Sequence, residues 1–219
     1  MSATNNKQGQ ALGPKGRATR NRLLAAANKL MKKLSPLEIT AVGIAEEAGT
    51  SSATFYMYFT DVRDVLYELA VQAGIDGAKA FESLTDLKPS DDVEVLAKAL
   101  IVSFNKVWNN HRNTLRYRNL EADRGDARFE KLRMAGYTKE LKIMTEWMRS
   151  WDTTSENKMT KSDAWSLASV LHASLERLAS IDPKVINKSL GTSRIIAAQA
   201  RIIAQVIVDS QTWGKLPIE

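Results

Sequence analysis

Few side chains in this chain could make or break bonds. Its 219 residues include two histidines, His111 and His172, and no cysteine, so thiolate nucleophiles, disulfides and thiolate metal sites are excluded. His172 and Glu176 stand four apart, a helical spacing that pairs them in a pocket or leaves a satisfied core histidine. Zinc needs several ligands converging. The chain has no such set, no Gly-rich phosphate loop and no carboxylate pair tied to a strand end, so neither catalysis nor a metal or other cofactor is expected. The residues that stand out lie between Thr40 and Phe59. They are short hydroxyls at Thr40, Ser51, Ser52 and Thr54, a glycine, Gly49, and an aromatic block of Phe55, Tyr56, Tyr58 and Phe59 around Met57. Small side chains at a helix start let the backbone approach a nucleic acid closely, within reach of phosphates and base edges.

The charge sits where that chemistry would use it. Residues 1–63 hold nine of the 31 Lys and Arg but only four of the 25 acids, so nearly all of the net +6 lies there. A phosphate-binding domain on a neutral body has this footprint, and a solvated basic surface has it too. With 44% apolar and 26% charged residues the chain reads as an ordinary globular protein. Residues 1–14 read as a disordered arm, because the first 20 residues are rich in Asn, Gln, Gly and Lys and lack the apolar segment of a secretory signal. The longest apolar stretch near the end, Ile195 to Val208, is interrupted by Arg201 and two glutamines, short of the ~18 uncharged residues of a bilayer span. A cytoplasmic protein without membrane contact is expected.

The elements that must hold these residues are all helical. Leu23, Leu24, Ala27, Leu30, Met31 and Leu34 repeat with helical spacing over 15–34. Thr40 can cap a short second helix whose inward positions are Val42, Ile44, Ala45 and Ala48, and Gly49 ends it. A third helix covers about 52–58, and Thr60 and Asp61 open a fourth carrying Val65, Leu66, Leu69 and Ala73. After a break at 86–90, Asp91 and Glu94 form a capping box for a helix to about 110, followed by helices near 112–122, 127–151, 161–181 and 191–213. The fold class is all-α: an N-terminal three-helix helix-turn-helix domain over 15–63, then a C-terminal helical bundle over 64–219 for ligand binding and dimerisation.

Helix, glycine turn, helix between Thr40 and Phe59 is helix-turn-helix arithmetic, which puts Ser52, Ala53 and Thr54 at base edges of the major groove. Few strong hydrogen-bond readers stand there, so DNA shape and the flanking arm share in specificity. The pattern of Ile44, Ala45, Ala48, Gly49 and Ser51 with the block from Thr54 to Phe59 resembles the TetR-type repressors over about residues 17–70. The resemblance implies that Thr40 contacts phosphate, that Phe55 and Phe59 are core, and that Tyr56 and Met57 lie against the DNA backbone and groove. Arg17 and Arg20 resemble arm residues that reach phosphates or the minor groove. Ser52 and Ala53 replace a common Lys-Gly, Tyr58 replaces a common histidine, and Val62 replaces a lysine whose charge Arg63 would supply.

The body from 64 onward resembles the family's ligand domain in layout. Its segment from His111 to Arg133 is similar to that of some actinobacterial members, in which a pocket opens nearby. The expected walls of a mostly apolar cavity are Phe104, Trp108, Tyr117, Leu120, Met134, Tyr137, Met144 and Trp147, with His172 and Glu176 as a polar pair. Each wall residue taken singly fits a core as well. A lipid-like, acyl or aromatic effector suits them better than a sugar or free metal. The last helices carry more apolar surface than one packing face uses, so a homodimer is expected through Leu171, Leu175, Leu178, Ile195, Ile196, Ile202, Ile203 and Val206. The function expected is an operator-binding dimeric repressor. Its effector releases DNA by tilting the fourth helix, so that the reading helices leave the ~34–36 Å spacing of successive major grooves. The rival reading is a helical lipid-binding or interaction module whose basic N-terminus faces a membrane.

Overall fold

The computed structural model describes residues 10–82, 92–151 and 159–209. Its elements are α1 (Pro14–Met31), a single 3-10 turn (Pro36–Glu38), α2 (Ala41–Glu47), α3 (Ser52–Tyr58), α4 (Val62–Glu82) and α5 (Val93–Asp123). They continue with α6 (Ala127–Ser150), α7 (Lys161–Ala179), α8 (Pro183–Ser189) and α9 (Thr192–Asp209). No helix among the described residues is long and apolar enough to cross a membrane. The described residues form two compact units, one from those up to 73 with 113–132, the other from 74–112 with those from 133 onward.

That division differs from a cut after residue 63. The buried cluster of the first unit joins Leu23, Ala27 and Met31 of α1 to Ile44 and Phe55, and takes in Val65, Leu66 and Ala70 of α4, Tyr117 of α5 and Phe129 of α6. Phe129 meets Tyr67 and Tyr117 edge to face, at 5.3 and 5.6 Å between centroids. The physical reason is surface: short helices spanning about 50 residues bury too little apolar area to close a core by themselves. In the second unit the buried residues include Phe81, Leu100, Ile101, Phe104, Met144 and Met148.

Local boundaries follow the capping chemistry. Ser35 and Glu38 form a reciprocal box at the 3-10 turn, so α1 stops at Met31, short of the expected Leu34. In α2 the position facing inward is Ala41, with Ile44 and Ala45, while Val42 is exposed. Asp61 Oδ1 accepts the Asp64 N–H at 2.9 Å and Asp64 Oδ2 accepts the Thr60 N–H at 3.1 Å, which fixes the start of α4. Asp92 caps α5, accepting from Glu94 N at 2.9 Å and Val95 N at 3.2 Å; the expected cap, Asp91, lies outside the described residues. The two helices expected over 91–110 and 112–122 are one, α5, because no Gly or Pro interrupts Val93–Asp123 and asparagine lowers helix propensity without ending a helix. The stretch after Asp182, expected as a break, is a helix start: Asp182 Oδ1 accepts the Lys184 N–H at 2.8 Å and Pro183 sits at its first position. Residues 210–213 of the expected last helix and residues 1–9 of the expected arm lie outside the described residues.

Phe129→Ala removes a fully buried ring that three helices share and should cost about 3–5 kcal/mol of unfolding free energy in urea titration. Burial pushes the Asp64 carboxyl up, but hydrogen bonds from Arg128 and Thr60 outweigh it and hold the group below its ordinary value. A depressed folded pKa gives stability that is present above the ordinary aspartate range and lost as pH falls through and below it. Unfolding free energy measured from pH 7 down to 3 should therefore fall less steeply in Asp64→Asn than in the parent.

Candidate nucleic-acid interface

A seven-residue helix is too short to persist unaided, and α3 is held by two side chains. Phe55 and Phe59 are buried, with centroids 5.7 Å apart, and Phe55 meets the Tyr56 ring edge to face at 5.3 Å. The turn before α3 depends on Gly49, whose φ of 65° is left-handed, and the Thr50 N–H closes it on the Ala45 carbonyl at 2.9 Å. Ser51 caps α3, its Oγ accepting from Thr54 N at 3.2 Å and lying 3.0 Å from Thr54 Oγ1. Thr40 caps α2 in the same way, accepting from Gly43 N at 3.0 Å. With the aromatic pair inward, Tyr56 (51% exposed) and Met57 (55%) face out, Ala53 is exposed, and Ser52, Thr54 and Tyr58 are half-buried.

The N-terminal segment closes on the same helix. A Cβ at Gly16 would come within 3.0 Å of the Leu12 side chain and 3.7 Å of the Tyr58 hydroxyl, so the start of α1 lies against the end of α3. Arg17 is exposed and donates through Nη1 to the Leu12 carbonyl at 2.6 Å, a contact that leaves its charge unneutralised. Lys15 and Arg22 are exposed on the same helix.

Two of the expected DNA contacts have other partners. Arg20 is 3% exposed, pairs with Glu68, and its guanidinium lies over the Phe59 ring at 4.9 Å, so it is an interior group that braces α3 and cannot reach phosphate. Arg63 pairs with Glu121 and with Asp126 (3.4 Å), and the hydrogen bond to Glu121 pushes its pKa up. Its side chain stays 44% exposed while pairing with these acids. Neither pairing was legible in the sequence, because the partners are 48 and 58 residues away.

The expected pocket residues divide between the units. Tyr117 and Leu120 belong to the first, Tyr117 in its core. In the second unit Phe104, Trp108 and His172 are buried; Phe104 is in ring contact with Phe81, Trp108 and His172, and His172 also with Phe81 and Tyr137. Met144 and Trp147 are buried there too, whereas Met134 is exposed. His172 Nε2 lies 2.5 Å from Glu140 Oε2, and Glu176 accepts the Tyr137 hydroxyl, so the expected His172–Glu176 pair is replaced by two cross-helix pairs. Glu140 was missed because its partner lies on a different helix. Thr145 Oγ1, Trp147 Nε1 and Gln199 Nε2 are buried without a hydrogen-bond partner among the described residues. Of the expected dimer residues, Leu171, Leu175 and Ile203 are interior to the single chain. Leu178, Ile195, Ile196 and Val206 are half-buried, and Ile202 is 57% exposed. Among the described residues no group of three His, Asp or Glu could hold a metal ion.

Residues 93–212 match the family described as "Tetracyclin repressor-like, C-terminal domain". Among solved structures the chain is similar to a TetR/AcrR-family transcriptional regulator from Thermobifida fusca YX-ER1, at 16% identity over 85% of this chain and 97% of that one, with a TM-score of 0.65. It is similar to the fatty acid degradation regulator FadR of Bacillus halodurans, at 16% identity over 91% and 97%, TM-score 0.60. It also resembles Thermus thermophilus FadR, a TetR-family transcriptional repressor in complex with lauroyl-CoA, at 19% identity over 91% and 98%, TM-score 0.52. At these identities the likeness is one of fold. No curated protein sequence matches the chain.

The cap on α3 gives a direct test of local order. Ser51→Ala should lower unfolding free energy by about 1 kcal/mol, and amide exchange should quicken first over 52–54.

Proposed function

We propose that this chain, which belongs to the TetR family of transcriptional regulators and is a DNA-binding regulator, not an enzyme, acts as a dimeric, ligand-released repressor that reads operator DNA with α3. The observation carrying the DNA assignment is the division of α3: Phe55 and Phe59 anchor it, and Tyr56 and Met57 stand outward, each about half exposed among the described residues. Under this reading Ser51, Ser52, Ala53, Thr54 and Tyr58 approach the groove and backbone, and Thr40 meets a phosphate. Arg17 supplies charge from the start of α1.

The dimer assignment rests on α9. Gln199, Ala200, Ile203 and Ile207 form its buried stripe, and Ile195, Ile202 and Val206 form a second apolar stripe about a quarter turn away. A second copy of the chain is the partner that covers such a stripe symmetrically. The effector assignment rests on the second unit's aromatic cluster together with its unpartnered Thr145 and Trp147 groups, which offer an acyl or aromatic ligand apolar walls and a few polar contacts. The lauroyl-CoA held by the Thermus thermophilus relative supports the acyl choice.

Selecting genomic fragments on the purified protein at near-physiological salt, then sequencing them, should return an inverted repeat with half-sites one helical turn apart. Retention without sequence preference would sink the operator reading. Arg17→Ala should weaken binding to all sequences and reduce the salt slope by about 1, and Tyr56→Ala should weaken it with the dimer intact. Ile202→Glu should convert the dimer to a monomer by light scattering.

A further inference from the structure

The first unit contains a cavity of about 550 Å³ that neither DNA reading nor the effector pocket uses. One wall is the segment from Lys32 to Leu37, between α1 and α2, and the other is one face of α5 through Asn113, Arg116 and Leu120. Asn113 donates to the Met31 carbonyl at the end of α1, which ties the two walls together. Tyr117 lines it from the core.

Its lining divides by chemistry. Lys32, Lys33 and Arg116 bring three positive charges, and no Asp or Glu lines the cavity. None of the three makes an ion pair among the described residues. Arg116 has no acid three or four positions away on α5. Glu38, on the adjoining turn, accepts the Ser35 N–H, and Glu47, whose field reaches Lys33, is paired with Lys29. Lysines at a helix C-terminus answer the helix dipole, but that effect fades within a turn and does not account for Arg116. The apolar part is Leu34, Leu37 and Leu120, of which Leu37 is 75% and Leu120 43% exposed, although both border the cavity. Leu34, Leu37 and Leu120 stand exposed beside these exposed cations, so an occupant with one apolar and one anionic part finds a partner for each.

These cations lie away from the contact between α1 and the end of α3. The end of α3 lies against Gly16, and Lys32 is sixteen residues further along α1, about 24 Å away at helical rise. The cavity is thus at the end of α1 opposite its contact with Tyr58, and its wall ends three residues before Thr40.

We propose that this cavity binds a small amphiphilic anion, its carboxylate or phosphate between Lys32, Lys33 and Arg116 and its alkyl chain along Leu34, Leu37 and Leu120. The volume is that of a pocket for a small organic ligand. The site is separate from the effector pocket of the proposed function and would bind whether or not that reading holds.

The test is titration of the full chain with decyl phosphate below its micelle concentration, followed by calorimetry and by amide shifts. Saturable binding is expected, with shifts concentrated in residues 30–38 and 113–121. Lys32→Gln with Arg116→Gln should weaken it by about tenfold or more, since two charge-assisted contacts are lost. Leu37→Gln should weaken it several-fold, and an unchanged melting curve in these exposed-site variants separates affinity from folding. Inorganic phosphate alone should bind much more weakly. Shifts confined to the second unit, or an affinity indifferent to the double substitution, would overturn the proposal. Equal affinity for bare phosphate would overturn the amphiphile assignment. Binding to vesicles of phosphatidylcholine with phosphatidylglycerol, without binding of monomeric decyl phosphate, would overturn the soluble-ligand assignment in favour of a lipid surface.

Discussion

The surface that would meet DNA depends on the burial of two rings. A helix of seven residues has too few internal hydrogen bonds to offset its nucleation cost, so α3 exists because Phe55 and Phe59 are held by the core around them. Everything outward on α3 inherits its position from that burial. Tyr56 and Met57 are presented on a fixed helix, not on a loop, because the neighbours on either side point the other way. The charged brace completes the arrangement. Arg20 is buried, sits over Phe59 and pairs with Glu68 of α4, so a cation that resembles a DNA ligand in the sequence is an interior group that holds the anchor ring in place.

The arginines of the first unit divide into two populations. Arg63, Arg124 and Arg128 close a network with Asp64, Glu121 and Asp126, joining the start of α4 to the end of α5 and the start of α6 within that unit. Arg128 also lies over the Tyr67 ring at 5.4 Å. Such a network contributes order and register more than raw stability, since much of its Coulomb energy is offset by desolvation and solvent screening. Lys15, Arg17 and Arg22 are exposed on α1, and Lys29, exposed on the same helix, is paired with Glu47.

The second unit solves a different problem, that of placing polar groups in an aromatic interior. His172 is in ring contact with Phe81, Phe104 and Tyr137 and is bonded to Glu140. A buried carboxylate without a donor would be costly, and the histidine supplies one. A Cβ at Gly77 would stand 3.0 Å from Glu140 Oε1, so the absence of a side chain there makes room for the carboxylate.

By itself the sequence determined whatever depends on neighbours within a turn or two. The all-helical class, the cap at Thr40 and the glycine turn at Gly49 are local patterns of period and hydrogen bonding and were legible, while the inward Phe55 and Phe59 came from the family resemblance. Where two local signals competed, the reading erred: the helix expected to end near residue 110 runs on as α5, and the break expected from Asp182 onward contains α8. Only the tertiary structure decided which charges are paired. Arg20 and Arg63 differ from Arg17 through acids some 50 residues distant, and no spacing rule reaches that far. The same holds for the aromatics, since Tyr117 and Phe104 share a helix yet serve different cores. Periodicity says which face of a helix is apolar; the path of the chain decides what that face meets.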